Sequence, residues 1–74
     1  MIFYTKYAED KFDILNRHKV YFTYSDVEEA IKNPAQAGRF GNYLFAQKNN
    51  IKTVYKKEGG VIKIITFYPI KNEL

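Results

Sequence analysis

The chain contains no cysteine and a single histidine, His18. Without a thiol there can be no disulfide, no thiolate metal ligand and no cysteine nucleophile. One histidine also leaves few ways to build a zinc site from side chains. The sequence has no P-loop, no GxGxxG and no HExxH motif, so it supports neither a nucleotide cofactor nor zinc-dependent hydrolysis. We therefore expect no cofactor and no bound metal.

Long hydrophobic runs are also missing, because the apolar stretches span only a handful of residues, against the ~20 that a membrane helix needs. Nothing resembles a secretion signal. Together with the lack of cysteine, this favours a cytoplasmic protein without membrane contact. A chain of 74 residues forms one domain near the lower size limit for a hydrophobic core, so its seven tyrosines and six phenylalanines must pack densely. Such aromatic content is compatible with a monomer or a homodimer.

The excess positive charge lies in the second half of the chain. The net charge is +4 overall. Residues 1–34 carry five basic and six acidic side chains, whereas residues 35–74 carry seven basic and two acidic ones. This asymmetry favours binding to a polyanion, and a phosphate-rich ligand is the first hypothesis.

Periodicity predicts two helices in the first half. A short strand over Ile2–Thr5 precedes a helix over Lys6–Arg17, in which apolar residues recur at helical spacing. The string Ser25-Asp-Val-Glu28 has the form of a capping box and begins a second helix. Asn33-Pro34 ends that helix, because the residue before a proline disfavours the α conformation.

The second half has the pattern of a β-sheet after a connector over Pro34–Gly38. The predicted strands are Arg39–Lys48, Ile51–Lys57 and Val61–Tyr68. Asn49-Asn50 and Glu58-Gly59-Gly60 are the turns between them. The predicted fold is therefore α+β with the order (β)ααβββ, in which two N-terminal helices pack on one face of a three- to four-stranded antiparallel sheet.

Alternation assigns the side chains of the middle strand to two faces. Lys52, Val54 and Lys56 share one face. The other face is formed by Ile51, Thr53 and Tyr55. The last strand is apolar on both faces, which predicts a position inside the sheet.

Lysines and tyrosines are interleaved along these strands, a mixture typical of surfaces that bind single-stranded nucleic acid. The residues concerned are Lys48, Lys52, Lys56, Lys57 and Lys63, with Tyr43, Tyr55 and Tyr68. The lysines would attract phosphates, and the tyrosine rings could stack with any base. Alternatively, the lysines protect strand edges from aggregation and the tyrosines belong to the core. The cluster lacks matching acids, which favours a polyanionic partner, either nucleic acid or an acidic protein.

The order of elements and several short strings resemble the small RelE- and BrnT-like ribonuclease toxins of bacterial and archaeal toxin–antitoxin systems, and a branch of short domains grouped near them. The strings are Ala8-Glu-Asp-Lys11, Asn16-Arg-His18, Asp26-Val-Glu-Glu-Ala30, Asn33-Pro34, Val54-Tyr-Lys56 and Ile64-Ile-Thr-Phe-Tyr-Pro69. The resemblance implies a RelE/BrnT-like fold, RNA as substrate, metal-independent cleavage by the 2′-hydroxyl and an antitoxin as partner. It is also compatible with a non-catalytic binding module that holds nucleic acid or an acidic protein.

Metal-free RNA cleavage needs a base, an acid and a cation that stabilises charge in the transition state. Histidine is the residue type that titrates near neutral pH, so His18 is the natural acid or base, with Lys11 as the second candidate for proton transfer. The planar guanidinium groups of Arg17 and Arg39 suit phosphate. The candidate catalytic residues are His18, Lys11 and Arg39. The candidate residues for binding phosphate and RNA are Arg17, Lys48, Lys52, Lys56, Lys63, Tyr55 and Tyr68.

Each candidate for catalysis also has a structural explanation. A charged His18 interacts favourably with the dipole at a helix C-terminus. Arg39, between Gly38 and Phe40-Gly41, fits an exposed turn or β-bulge. Arg17 can pair with Asp13 one helical turn earlier, and Lys11 with another surface charge.

Overall fold

A five-stranded sheet with two helices on one face makes up residues 1–70, which the computed structural model describes. The elements in chain order are β1 Ile2–Tyr4, α1 Lys6–Arg17, α2 Tyr24–Lys32, β2 Gln36–Phe40, β3 Tyr43–Lys48, β4 Ile51–Glu58 and β5 Val61–Pro69. Lys71 and Glu73, which enter the charge of the second half, lie outside the described residues.

The strands are arranged in the order β1-β5-β4-β3-β2. Strands β2 to β5 form an antiparallel meander, and β1 pairs with β5 in parallel. Helix α1 packs on β5 and β1, and α2 packs on β4 and β3. The α+β class, the two helices on one face and the interior position of the last strand are confirmed. The prediction of a purely antiparallel sheet of three to four strands is wrong, because the sheet is mixed and has five strands.

The extra strand arises from a hairpin inside the segment that was predicted as one strand over Arg39–Lys48. Gly41-Asn42 forms a two-residue turn between β2 and β3. Gly41 has a φ of 59°, a left-handed conformation that glycine adopts without steric cost. Strand β2 already begins at Gln36, so much of the predicted connector Pro34–Gly38 is strand.

Threonine side chains cap both helices. Helix α1 has the predicted bounds, and the hydroxyl of Thr5 accepts a hydrogen bond from the Ala8 amide at 3.2 Å. Helix α2 has a capping box formed by Thr23 and Asp26, in which each side chain accepts from the other residue's amide, at 3.2 and 2.9 Å. The predicted box at Ser25-Asp-Val-Glu28 is therefore wrong by two residues.

The core lies between the helices and the sheet face beneath them. Its largest fully buried apolar side chains are Phe67, Ile64 and Val27. Around Phe67, the ring of Phe12 from α1 lies 4.5 Å away and the ring of Phe22 lies 6.2 Å away, between centroids. Phe67 therefore joins strand β5 to α1 and to the segment that leads into α2.

The pairing of β4 with β5 contains a β-bulge, where the register shifts by one residue between Val54 and Tyr55. Thr66 pairs with Val54 and Ile64 pairs with Tyr55, which leaves Ile65 as an extra residue on β5. Ile64 and Tyr55 belong to the core under the helices. Val54 and Thr66 therefore lie on the opposite face.

Thr53 is fully buried, and its hydroxyl has no hydrogen-bond partner among the described residues. An unpaired buried hydroxyl costs about 1–3 kcal/mol, and valine has nearly the same shape as threonine. We expect Thr53→Val to raise the free energy of unfolding by about 1 kcal/mol in urea denaturation. The control Thr23→Val removes a cap and should lower it by about 1 kcal/mol. A loss of stability in the Thr53 variant would contradict this account.

Tyr4 links β1 to both helices. Its hydroxyl donates to Oε2 of Glu28 at 2.9 Å, and the neighbouring Tyr24 hydroxyl donates to Oε2 of Glu9 at 2.9 Å. The two tyrosine rings meet edge to face at 4.8 Å. Burial, followed by the hydrogen bond to Glu28, raises the pKa of Tyr4 far above its ordinary value.

This raised pKa predicts a loss of stability in alkali. The folded state holds the Tyr4 proton more tightly than the unfolded state, whose tyrosines have a pKa of about 10. The stabilisation is therefore fully present below about pH 10 and is lost as the pH rises above it. We expect Tyr4→Phe to be less stable than wild type at neutral pH by about 1 kcal/mol, and the gap to shrink in alkali. Denaturation curves across the alkaline range test this, and a constant gap would count against it.

Candidate functional site

The sheet face turned away from the helices carries aromatic and basic side chains. No element within residues 1–70 covers this face, because both helices pack on the other one. Strand alternation and register assign its members. We call this surface the open face; its large side chains are Phe3, Phe40, Tyr43, Phe45, Lys52, Val54, Lys56, Lys63 and Tyr68.

Two lysines of the open face lie over aromatic rings. Nζ of Lys52 is 4.5 Å from the ring centroid of Phe45 and 6.0 Å from that of Tyr68. Nζ of Lys56 is 5.2 Å from the ring centroid of Tyr43. The negative face of an aromatic ring attracts an ammonium group, by about 0.5–1 kcal/mol at exposed sites. Neither lysine takes part in the ion pairs found within residues 1–70.

The aromatic part of the open face continues to the edge strand β2. The ring centroid of Phe40 lies 6.1 Å from that of Tyr43 and 6.3 Å from that of Phe45. The Phe45 ring also covers the backbone of Gly38, since a Cβ there would lie 2.6 Å from a ring carbon. Glycine at this position therefore allows Phe45 to lie against the edge strand.

Two of the predicted lysines have carboxylate partners. Lys63 belongs to the open face, and its Nζ lies 3.3 Å from Oε1 of Glu58. Lys48 points to the helix side at the end of β3, where its Nζ lies 2.9 Å from Oε1 of Glu29 on α2. The hydrogen bond from Lys48 holds the pKa of Glu29 below its usual value. Lys52 and Lys56 are therefore the better candidates for binding an external anion.

Tyr55 and Lys57 lie outside the open face. Tyr55 faces the helices as part of the core, with 9% of its surface exposed. Lys57 is exposed near the glycine turn at the end of β4. Of the predicted mixture, the structure brings together Tyr43, Lys52, Lys56, Lys63 and Tyr68.

Sequence reasoning missed the phenylalanines of the open face. The pattern of lysines and tyrosines does not single out Phe3, Phe40 or Phe45. A signal was present, because Tyr43 and Phe45 are two residues apart on one strand and therefore share a face. Using it would have required the β2–β3 turn to be placed correctly.

The candidate catalytic residues are spread over the molecule. His18 is the exposed C-cap of α1, and its amide donates to the carbonyl of Leu15 at 2.9 Å. Lys11 lies seven residues earlier on α1, about 10 Å along the helix axis. Arg39 is exposed on β2. This strand is three strand spacings, or about 14 Å, from β5, the strand on which α1 packs.

Arg17 is the exposed last residue of α1 and belongs to the helix layer. Three cavities within residues 1–70 are lined by none of these side chains. A cavity of about 170 Å³ between α2 and the β3–β4 turn is lined by Tyr21, Phe22, Asp26, Glu29, Lys48, Asn49, Asn50 and Ile51. The structure therefore does not gather Lys11, His18 and Arg39 around one substrate-sized concavity.

In the part of the chain that the structure describes, no three His, Asp or Glu side chains are grouped so that they could hold a metal ion. No helix there has the length and apolar character needed to cross a membrane.

Comparisons with protein families, characterised proteins and solved structures found no match to this chain. The resemblance to RelE- and BrnT-like toxins therefore stays a prediction from short strings and element order. The function must be argued from the open face itself.

Proposed function

We propose that this domain binds single-stranded RNA on its open face, as a binding module and not as a nuclease. The observation that carries this proposal is the position of Lys52 and Lys56. Both are free of the ion pairs found within residues 1–70 and lie among aromatic rings on an uncovered sheet face. Cations and rings together match a ligand that presents phosphates and unpaired bases.

The lysines and the aromatic rings of the open face would each bind a different part of such a ligand. Lysines neutralise phosphates and release counterions, which makes the affinity depend on salt. Aromatic rings stack with bases whose faces are free, at about 1–3 kcal/mol per base. A duplex keeps its base faces stacked inside the helix, so it would use the lysines but not the rings. Single-stranded RNA uses both.

Neither residue that the sequence suggests for proton transfer lies on the open face. The one histidine, His18, belongs to the helix layer, as does Lys11. Glu58, at the end of the open face, is paired with Lys63. This arrangement supports binding over cleavage, and it is the reason that we place the ribonuclease chemistry implied by the resemblance second.

The test is fluorescence anisotropy with a short labelled RNA strand. Wild type should bind, and the double variant Lys52→Gln/Lys56→Gln should bind more weakly. Its plot of log affinity against log salt should be shallower by about 1.4, or 0.7 for each lost phosphate contact. The matched control is Lys6→Gln/Lys32→Gln, which removes the same charge from the exposed surface of the helix layer. An absence of RNA binding, or an equal loss in the control, would overturn the proposal.

Competition distinguishes the other possible partners. The same strand in duplex form should compete less well than the single strand. An acidic peptide that displaces RNA with higher affinity would instead favour a protein partner, such as the antitoxin that the resemblance implies. Incubated RNA should stay intact, whereas cleavage that His18→Ala abolishes would restore the nuclease hypothesis.

A further inference from the structure

Lysine ammonium groups lie over two of the aromatic rings on which bound bases would stack. One side of the Phe45 ring is closed by the backbone of Gly38, because even a Cβ there would lie 2.6 Å from a ring carbon. The Lys52 ammonium lies over the ring, 4.5 Å from its centroid. A base that stacks on Phe45 must therefore take the place of this ammonium group. The Lys56 ammonium lies 5.2 Å from the ring centroid of Tyr43, so a base that stacks on that side of the ring must also displace it.

We infer that Lys52 and Lys56 rest on aromatic rings in the free protein and move from the rings to phosphates when bases stack there. This inference depends on the proposed function, and it adds an exchange mechanism at the same site. It also restricts the ligand to strands that offer a free base and a neighbouring phosphate together.

The exchange is favourable because each interaction that is lost has a stronger replacement. A cation–π contact at an exposed site is weaker than the stacking of a base on an aromatic ring. The displaced ammonium group stays close to the stacked nucleotide, where it can neutralise a phosphate. Neither lysine has a carboxylate partner within residues 1–70 that would hold it back.

The two rings define the minimum ligand. The rings belong to Tyr43 and Phe45, which are two residues apart on β3, about 7 Å along the strand. The Phe45–Lys52 and Tyr43–Lys56 pairs therefore form separate positions, and one nucleotide cannot fill both. A strand with at least two unpaired bases is required.

Nuclear magnetic resonance of the lysine side chains tests the exchange. In the free protein, ring currents should shift the ε-methylene protons of Lys52 and Lys56 upfield of those of Lys57, which serves as the control. Saturation with an RNA strand should return both signals to the position of Lys57. The variant Phe45→Leu should reduce the upfield shift of Lys52 to the smaller part due to Tyr68, whose ring centroid is 6.0 Å away. It should leave the shift of Lys56 unchanged and weaken RNA binding about tenfold.

The outcomes separate this inference from the proposed function. Binding by anisotropy without movement of the lysine signals would overturn the exchange and leave the RNA-binding function in place. Lysine signals at ordinary positions in the free protein would also overturn the exchange. An RNA strand that does not bind at all would overturn both.

Discussion

Phe67→Ala is expected to lower the free energy of unfolding by about 3–5 kcal/mol. The Phe67 side chain is fully buried, and its ring contacts those of Phe12 and Phe22. Truncation leaves a cavity at the point where β5, α1 and the segment that leads into α2 meet. Domains have a total free energy of unfolding of about 5–15 kcal/mol, and a chain this short belongs at the lower end. A large fraction of the Phe67→Ala protein should therefore be unfolded at 37 °C. Urea denaturation followed by circular dichroism measures the loss.

Phe40→Ala is the matched control, because it deletes the same ring at a position that is 52% exposed. Its contacts are with Tyr43 and Phe45 on the open face, and we expect a loss of less than about 1 kcal/mol. Equal losses in the two variants would mean that the helix-covered face is not the main core of this domain.

The local patterns of the sequence predict the helices and the last hairpin well. Helix α1 has the predicted bounds because its apolar spacing and its polar flanks agree. The β4–β5 turn is placed correctly because Gly59 and Gly60, with φ of 53° and 78°, both need left-handed backbone. Such features are encoded within a few residues, where propensity and pattern act directly.

Pairing between distant segments could not be predicted in the same way. The parallel partner of Ile2 is Ile62, and nothing in the local sequence of β1 specifies it. The capping box of Thr23 and Asp26 was missed because Ser25 and Glu28 are also a hydroxyl residue and an acidic residue at the same spacing. Only the tertiary position of α2 distinguishes the two caps.

The open face shows the same limit at the level of single side chains. Alternation correctly places Lys52 and Lys56 on one face of β4 and Tyr55 on the other. The ion pair between Lys48 and Glu29 joins residues nineteen positions apart and depends on the packing of α2. Charge counting over half a chain therefore overstates the free positive charge of the surface.

Tyr43→Ala combined with Tyr68→Ala is expected to weaken binding of single-stranded RNA by about 30-fold or more. Each ring should contribute about 1–3 kcal/mol of stacking with a base. Both tyrosines lie on the open face, and the Lys52 and Lys56 ammonium groups lie over their rings. Anisotropy with the labelled strand measures the loss. The control is Tyr7→Ala/Tyr21→Ala, which removes two tyrosines that are 63% and 70% exposed outside the open face.

The salt dependence of this double variant separates stacking from charge. Removing two rings leaves every lysine in place, so the slope of log affinity against log salt should equal that of wild type while the affinity falls at every salt concentration. The variant Lys52→Gln/Lys56→Gln should behave in the opposite way, with a shallower slope. If the tyrosine variant also lost slope, the rings would act by positioning the lysines. If it lost neither slope nor affinity, RNA would bind to this domain through phosphates alone.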